Sequence, residues 1–284
     1  MSLLPPDIPE QVARSLAEDV GSGDVTAALI DAATLATATV ISREPAIICG
    51  QAWFDETFRQ LDAGIHIQWL VDEGELVAGN TLLCELSGPA RALLTGERTA
   101  LNFLQALSGT ATITQRYAHA VEGTGCRILD TRKTLPGLRL AQKYAVRCGG
   151  GENHRLGLYD RVLLKENHIM AAGSVAAAVR RAREQSPQVL IEVEVESLDE
   201  FVAALEAAPD IIMLDELDDV QMRNAVAVNR AAARPVKLEA SGGVDLETVR
   251  RIAATGVDYV SVGSLTKHLR SIDLSLRFKL RPAS

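Results

Sequence analysis

Residues 189–216 read VLIEVEVESLDEFVAALEAAPDIIMLDE and contain one strand–helix–strand unit. The runs at 189–195 and 211–214 are short, apolar and β-branched, which is typical of strands buried on both faces. The segment between them, 197–207, has the apolar spacing of an amphipathic helix. A strand, a helix and a second strand in this order predict parallel pairing in an α/β protein.

The same alternation continues on both sides of this unit. The pattern predicts further strands at 126–130, 161–165, 236–240 and 258–262, and further helices at 173–185, 218–232, 245–254 and 265–271. A chain of 284 residues can hold one α/β barrel of ~250 residues or a shorter barrel with a smaller domain. The second arrangement fits better, because the first hundred residues have a different pattern.

That first part predicts a helix over 7–19, strands within 35–49, a helix near 51–62 and hairpin-like strands over 69–97. The hairpin segment resembles a biotinyl- or lipoyl-type module, but no carrier lysine stands at its tip, so we interpret it as part of a scaffold domain. The basic amphipathic tail at 266–281 is predicted to fold back onto this first domain.

Composition excludes several classes of protein. The net charge of −8 disfavours a nucleic-acid-binding surface. No apolar run approaches ~20 residues and no signal peptide is recognisable, so we expect no membrane association. The four cysteines form no CxxC pair, which disfavours a zinc site or a disulfide framework and predicts reduced thiols in the cytoplasm.

Positive charge is concentrated in one part of this acidic chain. The run from Arg127 to His168 holds nine Lys and Arg against four Asp and Glu. Within it, Arg139, Lys143 and Arg147 have helical spacing and are assigned to structure or to a subunit contact. The remaining excess predicts a site for a small, highly anionic ligand.

Polar residues follow the predicted strands where each strand ends, which is where α/β barrels place active sites. In chain order these residues are Thr131, Arg132, Lys133, Lys165, Glu194, Asp215, Ser241, Gly242, Gly243, Gly263 and Ser264. The two glycine-containing loops close the series and precede helices, an arrangement that predicts a phosphate site.

Several roles remain open at this level. Glu194 and Asp215 can hold Mg²⁺, contact ribose hydroxyls, or serve only as caps and ion-pair partners. Lys165 suits either a Schiff base or anion binding. His154 and Arg155 follow the glycine run 149–151, and an imidazole beside a guanidinium suits a carboxylate ligand.

The stretch ILDTRKTLPGLRLAQKYAVRCGGGENHRLGLYDRVLLKENHI, at 128–169, resembles the signature of the quinolinate phosphoribosyltransferase family. EDVGSGDVT, GERTALNFLQALSGTAT, IEVEVES, MLDE, EASGGV and VSVGSLTKH also resemble that family, in its order. The resemblance implies an N-terminal α/β sandwich over 1–108, completed by a C-terminal helix at about 269–284. An irregular, incomplete TIM-like α/β barrel would occupy 109–268.

The resemblance also implies the activity and the roles of the residues. The reaction would join quinolinate to phosphoribosyl pyrophosphate with Mg²⁺ and release pyrophosphate and carbon dioxide, in NAD biosynthesis. The two carboxylates of quinolinate would meet Arg132, His154, Arg155 and Lys165. Arg98 would be contributed by the other subunit of a homodimer or hexamer with shared sites.

For the second substrate, the resemblance implies that Lys133 meets the pyrophosphate or the ring, and that Glu194 and Asp215 contact ribose and Mg²⁺. Lys133, Glu194 and Asp215 would form the catalytic set. The 5′-phosphate would lie against Ser241, Gly242, Gly243, Gly263 and Ser264, with Thr131 as a further substrate contact. His168 belongs to the pattern without an assigned role.

Three alternatives compete with this interpretation. A paralogous protein linked to molybdenum transport shares several of the motifs, and the complete dicarboxylate set argues against it. A barrel aldolase or isomerase would use Lys165 as a Schiff base, which borohydride trapping would expose. A non-catalytic scaffold would not need polar groups at six strand ends.

Overall fold

The computed structural model describes residues 4–280, and the chain divides into two compact units. The first unit holds the described residues up to 115, the segment 135–150 and the described residues from 268 onward. The second unit holds 116–134 and 151–267. The predicted barrel domain, 109–268, had included 135–150. This segment belongs with the first unit because Tyr144 and Ala145 lie in the same buried cluster as Trp53 and Leu107.

Residues up to 120 form α1 (Ile8–Val20), β1 (Leu35–Ser42), β2 (Ala46–Ile47), α2 (Gln51–Leu61), β3 (His66–Trp69), β4 (Leu76–Val77), β5 (Thr81–Pro89) and α3 (Ala90–Ala120). They are followed by β6 (Arg127–Leu129), α4 (Arg139–Cys148), β7 (Arg161–Leu164), α5 (Glu166–Ala172), α6 (Val175–Gln185), β8 (Leu190–Val195) and α7 (Leu198–Ala207). The remaining elements are β9 (Ile211–Asp215), α8 (Asp219–Ala231), β10 (Lys237–Ser241), α9 (Val249–Ala253), β11 (Tyr259–Ser261), α10 (Ser264–Lys267) and β12 (Leu274–Leu280).

The first unit contains a four-stranded antiparallel sheet in the order β12-β1-β5-β3. Every second residue of β1 is buried, so one face of the sheet, with Ala36, Ala38 and Val40, lies on the core. Helices supply the other layer, and the Trp53 indole of α2 donates a 2.8 Å hydrogen bond to Gln11 of α1. An α/β arrangement with a smaller sheet domain is therefore confirmed.

The last described segment is a strand. The helix predicted at about 269–284 is wrong for its described part, because β12 pairs antiparallel with β1, Ala38 opposite Phe278. The predicted return to the first domain is confirmed by that pairing. The sequence LSLRFKL places Leu274, Leu276 and Phe278 on one side, and these pack against the core of the sheet. Residues 281–284 lie outside the described residues.

The second unit is built on a six-stranded parallel sheet in the order β6-β11-β10-β9-β8-β7. Every strand predicted for the barrel is present within two residues of its predicted bounds. Consecutive strands β7 to β11 are neighbours, and β6 lies beside β11, as in a barrel that is not closed between β6 and β7. Next to β6, Glu152 forms a single parallel bridge with Leu129.

The helices after the last two strands are shorter than predicted. Instead of 245–254, α9 spans only Val249–Ala253, because the Asp245 carboxylate accepts hydrogen bonds from the Glu247 and Thr248 N–H groups in a local turn. Instead of 265–271, α10 is one turn, Ser264–Lys267, since residues from 268 onward belong to the first unit. None of the helices within residues 4–280 combines the length and the hydropathy of a membrane-spanning segment.

Candidate active site

A cavity of about 430 Å³ opens in the second unit at the carboxyl ends of the parallel strands. Its lining includes nine residues that were predicted from the sequence: Thr131, Arg132, Lys133, His154, Arg155, Lys165, Glu194, Asp215 and Ser241. Leu163, Met213, Glu239 and Ser261 also line it and were not predicted. The structure thus brings together side chains that lie up to 130 positions apart in the sequence.

Two arginines make one side of this cavity strongly cationic. The Nε of Arg132 is buried and has no hydrogen-bond partner within the described residues. Burial lowers the pKa of Arg155, and the charge of Arg132 lowers it further. A desolvated donor without an acceptor, beside a second guanidinium, is costly unless an anion binds there. This side of the cavity is therefore suited to a ligand with more than one negative charge.

The loop that carries Arg155 is held by a buried carboxylate. At the end of β6, Asp130 accepts hydrogen bonds from the His154 N–H at 2.9 Å and from the Asn153 side chain at 2.7 Å. The Arg155 N–H donates to Nδ1 of His154 at 2.8 Å. Because Nδ1 is an acceptor, the imidazole proton is on Nε2. The ring orientation and the position of Arg155 are therefore linked.

Below His154 lies a pair of buried glutamates. The Nε2 of His154 is 2.9 Å from Oε2 of Glu192 and 3.7 Å from Oε2 of Glu239, and both glutamate side chains are fully buried. Arg161 also approaches Glu192, with Nη1 at 3.3 Å from Oε2. Burial raises the pKa of Glu239 well above its usual value, and the charge of Glu192 adds to this effect.

Glu192 shows the opposite balance. Burial would raise its pKa, but the hydrogen bond with His154 and the charge of Arg161 lower it overall. The two carboxyl groups therefore share one negative charge, with Glu192 ionised and Glu239 protonated. A proton on Glu239 also supplies a hydrogen-bond donor toward the neighbouring Glu192 carboxylate.

This assignment predicts different effects of two matched amide substitutions. Above the usual Glu pKa of ~4.3, folded Glu239 keeps a proton that the unfolded chain has lost, so the free energy of unfolding falls as the pH rises. Glu239→Gln removes this dependence, and its melting temperature should fall less between pH 5 and pH 8 than that of the wild type.

Glu192→Gln removes the charged partner of Arg161 and should cost about 3–5 kcal/mol of the free energy of unfolding. Thermal melts across this pH range check both, and equal losses in the two variants would contradict the assignment.

The opposite side of the cavity is acidic. Oxygens of Glu194, Glu196 and Asp215 all lie within 4.8 Å of one another, as in groups that hold a divalent cation. Glu194 also accepts a 2.5 Å hydrogen bond from Nζ of Lys165. The predicted proximity of Glu194 and Asp215 is thus observed, and Glu196 is an additional member of the group. The cavity thus has the two arginines on one side and the acidic group, paired with Lys165, on the other.

Two glycine-containing loops border the same strand ends. Gly242 has φ +103°, and a Cβ at this position would come within 3.0 Å of Glu216 atoms, so that only glycine fits. Glu216 itself has φ 57°, and its N–H donates a 3.0 Å hydrogen bond to the Ser241 carbonyl. A Cβ at Gly263 would come within 3.1 Å of the Lys133 Cδ. The glycines therefore allow other groups to come close to the loop backbone at the mouth of the cavity.

Of the other residues named in the sequence analysis, His168 and Lys143 have structural roles, and Arg98 lies in the first unit. Nδ1 of His168 accepts the Lys165 N–H at 3.0 Å and closes a capping box at the start of α5, which gives this histidine a local role. Lys143 of α4 is only 1% exposed, in agreement with the prediction that it belongs to the structure. Arg98 lies in the first unit, exposed on α3.

Sequence reasoning missed three carboxylates that line or support the cavity, Asp130, Glu192 and Glu239, and also Glu196 of the acidic group. Asp130, Glu192 and Glu239 stand inside or at the end of apolar strands, in CRILD, VLIEVEV and VKLEA. A carboxylate within a strand buried on both faces needs a buried partner, and that was the available signal. The partner itself, His154, is too distant in sequence for any local pattern to indicate it.

Two family models match this chain. The model described as quinolinate phosphoribosyl transferase, N-terminal domain, matches residues 24–108, and the corresponding C-terminal domain model matches 110–277. A relative from Mycobacterium leprae, named nicotinate-nucleotide pyrophosphorylase [carboxylating], is 43% identical over 94% of this chain and 95% of its own. A probable nicotinate-nucleotide pyrophosphorylase [carboxylating] from Bacillus subtilis is 40% identical over 91% and 89%.

Solved structures agree with these matches over nearly the full length. The nicotinate-nucleotide pyrophosphorylase from Francisella tularensis superimposes with a TM-score of 0.94 at 47% identity, covering 98% of both chains. NadC from Streptococcus pyogenes gives a TM-score of 0.94 at 40% identity, covering 99% of both chains. The fold and the family assignment thus rest on independent comparisons of sequence and structure.

Proposed function

The chain belongs to the quinolinate phosphoribosyltransferase family, and on this premise we propose how the cavity of its second unit carries out the family reaction. The enzyme is a pentosyltransferase that converts quinolinate and phosphoribosyl pyrophosphate to nicotinate mononucleotide, pyrophosphate and carbon dioxide in NAD biosynthesis. The residue roles, the metal and the assembly described below are our proposals.

The buried, unpartnered Nε of Arg132 is the observation that carries the proposal for the substrate site. Quinolinate bears two adjacent carboxylates, and two neighbouring guanidinium groups offer them charged hydrogen bonds in fixed planes. The mutual repulsion of Arg132 and Arg155, which contributes to the lowered pKa of Arg155, is relieved when a dianion lies between them. Lys165 would add a third cation once its ammonium group leaves Glu194 and contacts a carboxylate of the substrate.

We assign His154 a positioning role in this site. Its Nδ1 is taken by the Arg155 N–H, and its Nε2 faces Glu192. An imidazole held from both sides fixes the backbone from which Arg155 extends. Carboxylate binding then falls mainly to the arginines and Lys165, and His154 acts through Arg155.

Catalysis would rest on positioning and on the two charged sides of the cavity. As the bond from the anomeric carbon to pyrophosphate breaks, positive charge grows on the ribose, and Glu194 and Asp215 would stabilise it. Negative charge grows on the leaving pyrophosphate, where Lys133 would balance it. Once the ring nitrogen is bonded to ribose it is cationic, and it can accept the electrons released when the adjacent carboxylate leaves as carbon dioxide.

The acidic group is also suited to a metal ion. Carboxylate oxygens of Glu194, Glu196 and Asp215 within 4.8 Å of one another are the hard ligands that Mg²⁺ prefers, directly or through water. Bound there, Mg²⁺ would neutralise charge on the pyrophosphate. Lys165 limits the negative charge of the group by its contact with Glu194.

The glycine loops would bind the 5′-phosphate. Helices α9 and α10 span five and four residues, so their dipoles contribute little. The contacts would come from the N–H groups of Gly242, Gly243 and Gly263 and from the Ser241 and Ser264 hydroxyls.

Gly242→Ala forces a side chain into a left-handed backbone against Glu216. We expect KM for phosphoribosyl pyrophosphate to rise by roughly tenfold, from a cost of about 1–2 kcal/mol. Exposed Gly173, which also has positive φ but open space around it, is the matched control for backbone strain. An equal rise in KM for Gly173→Ala would contradict the phosphate role.

We further propose that the protein acts in the cytoplasm as a homodimer or a hexamer. Its four cysteines are free thiols, as expected for a reducing compartment. Arg98 is exposed on α3 and is available to another subunit. In the proposed assembly this arginine would enter the neighbour's quinolinate site.

An assay of all three products tests the function. Purified protein is incubated with quinolinate, phosphoribosyl pyrophosphate and Mg²⁺, and nicotinate mononucleotide, pyrophosphate and carbon dioxide are quantified. Equal amounts of the three products are expected. Absence of turnover, with Lys165 trapped by borohydride on a carbonyl substrate, would instead support an aldolase.

A further inference from the structure

Two cysteines that are distant in sequence meet in the first unit. Cys49 lies between β2 and α2, and Cys148 is the last residue of α4. Their sulfurs and a carboxylate oxygen of Glu73 all lie within 4.8 Å of one another. Cys49 is fully buried, whereas Cys148 is partly exposed. One thiol is therefore accessible to a small reagent, and the other is in position to react next.

The backbone on both sides of this pair is held against α3. Ser108 of α3 accepts the Cys49 N–H at 2.9 Å and donates to the Cys49 carbonyl at 3.2 Å. Directly after Cys148, a Cβ at Gly149 would come within 2.3 Å of the Ala111 carbonyl oxygen, so α4 ends in close contact with the same helix. Both cysteines are thus held on rigid backbone, with their sulfurs within 4.8 Å of each other.

The two thiols have opposite pKa shifts, and these indicate which of them is the nucleophile. A hydrogen bond from Cys49 lowers the pKa of Cys148, and the Tyr144 hydroxyl contributes a second one. Burial raises the pKa of Cys49. Cys148 is therefore the nucleophile, because the thiolate is the reactive form of cysteine.

A metal ion would be a poorer occupant of this cluster. Both oxygens of Glu73 are already used, accepting the Gly50 N–H at 2.8 Å and the Gln51 N–H at 3.1 Å at the start of α2. A metal would also require two thiolates beside that carboxylate in a largely buried place, which is costly. A disulfide adds no charge.

We propose that Cys49 and Cys148 form a reversible intramolecular disulfide when the protein meets a peroxide. The Cys148 thiolate attacks one peroxide oxygen, the O–O bond breaks, and a sulfenic acid forms. The released hydroxide takes up the proton that Cys148 had lost and leaves as water. The Cys49 thiol then attacks the Cys148 sulfur, the S–S bond forms, and the hydroxyl leaves as water with the Cys49 proton. Two thiols and one hydrogen peroxide thus give one disulfide and two waters.

Peptide mapping after oxidation tests this proposal. The full-length protein is treated with a small excess of hydrogen peroxide, alkylated under denaturing conditions and digested. We expect one cross-linked peptide pair containing Cys49 and Cys148, with Cys84 and Cys126 still alkylated, because burial raises the pKa of both. The bond would close a loop of about 100 residues, so the melting temperature should rise by about 5 °C or more and return after dithiothreitol.

Two variants test which cysteines form the cross-link. Cys84→Ala/Cys126→Ala should form the same cross-link, and Cys148→Ser should form none. If the serine variant does not fold, the wild-type map decides alone. Sulfinic acid at Cys148 with Cys49 still alkylated would overturn the proposal. So would stoichiometric zinc that protects both thiols from peroxide until a chelator is added.

Discussion

Replacing Arg155 by alanine should lower kcat/KM for quinolinate between about 30-fold and 5,000-fold, since loss of one partner of a desolvated charge pair costs about 2–5 kcal/mol. The guanidinium lines the cavity beside Arg132, and burial and the charge of Arg132 lower its pKa although the charges of Glu192 and Asp160 act in the opposite direction. Its removal leaves one substrate carboxylate unpaired. KM for phosphoribosyl pyrophosphate should change much less.

Two further variants make this result specific. Arg155→Lys keeps the charge but loses the planar pair of donors, so it should recover only part of the activity. Arg181→Ala removes an exposed arginine from α6 and should behave as the wild type. Steady-state kinetics with each substrate varied in turn checks all three. Normal turnover of quinolinate by Arg155→Ala would show that the carboxylate site is elsewhere.

Mixing two inactive variants should restore activity if the site is shared between subunits. Arg98→Ala removes the arginine proposed to enter the neighbour's site, and Lys165→Ala removes a cation of the subunit's own site. Each variant alone should lose at least about 100-fold in kcat/KM. In a dimer formed from both, one site combines an intact Lys165 with an intact Arg98, and the other lacks both.

Random exchange of subunits predicts how much activity should return. Equal mixing places half the protein in mixed dimers with one competent site each, so about a quarter of wild-type activity should return. The control mixes Lys165→Ala with Arg155→Ala, two residues of the same cavity in the same chain. If Arg155 and Lys165 serve one subunit's site, that mixture stays inactive. No recovery with Arg98→Ala would contradict the shared site.

The barrel could be predicted closely from the sequence because its signals are local. Buried parallel strands are uniformly apolar, and residues at their carboxyl ends converge whatever the details of packing. For this reason the sequence alone predicts that Arg132, Lys165, Glu194 and Asp215 share one site, and all four line the cavity. The tail is the exception. The resemblance implies a helix there, but Leu274–Leu280 is short and amphipathic, and only its pairing with β1 distinguishes a strand from a helix.

The support beneath the site was not predictable in the same way. The ionisation of Glu192 and Glu239 depends on their mutual distance and on His154, which lies in the loop between α4 and β7. Cys49 and Cys148 show no metal or disulfide spacing in the sequence, and only the packing of α2 and α4 against α3 brings them together. Long-range pairs of this kind depend on tertiary structure and leave no periodic signal.

Calorimetric titration of the wild-type protein with quinolinate and with nicotinate is the most direct test of the proposed dicarboxylate site. Nicotinate lacks one of the two carboxylates, so it leaves one desolvated cation unpaired and should bind at least about 30-fold more weakly, the lower bound for losing such a partner. In Arg155→Ala the difference between the two ligands should largely disappear. Equal affinities of the wild type for the two ligands would contradict a site built to bind both carboxylates.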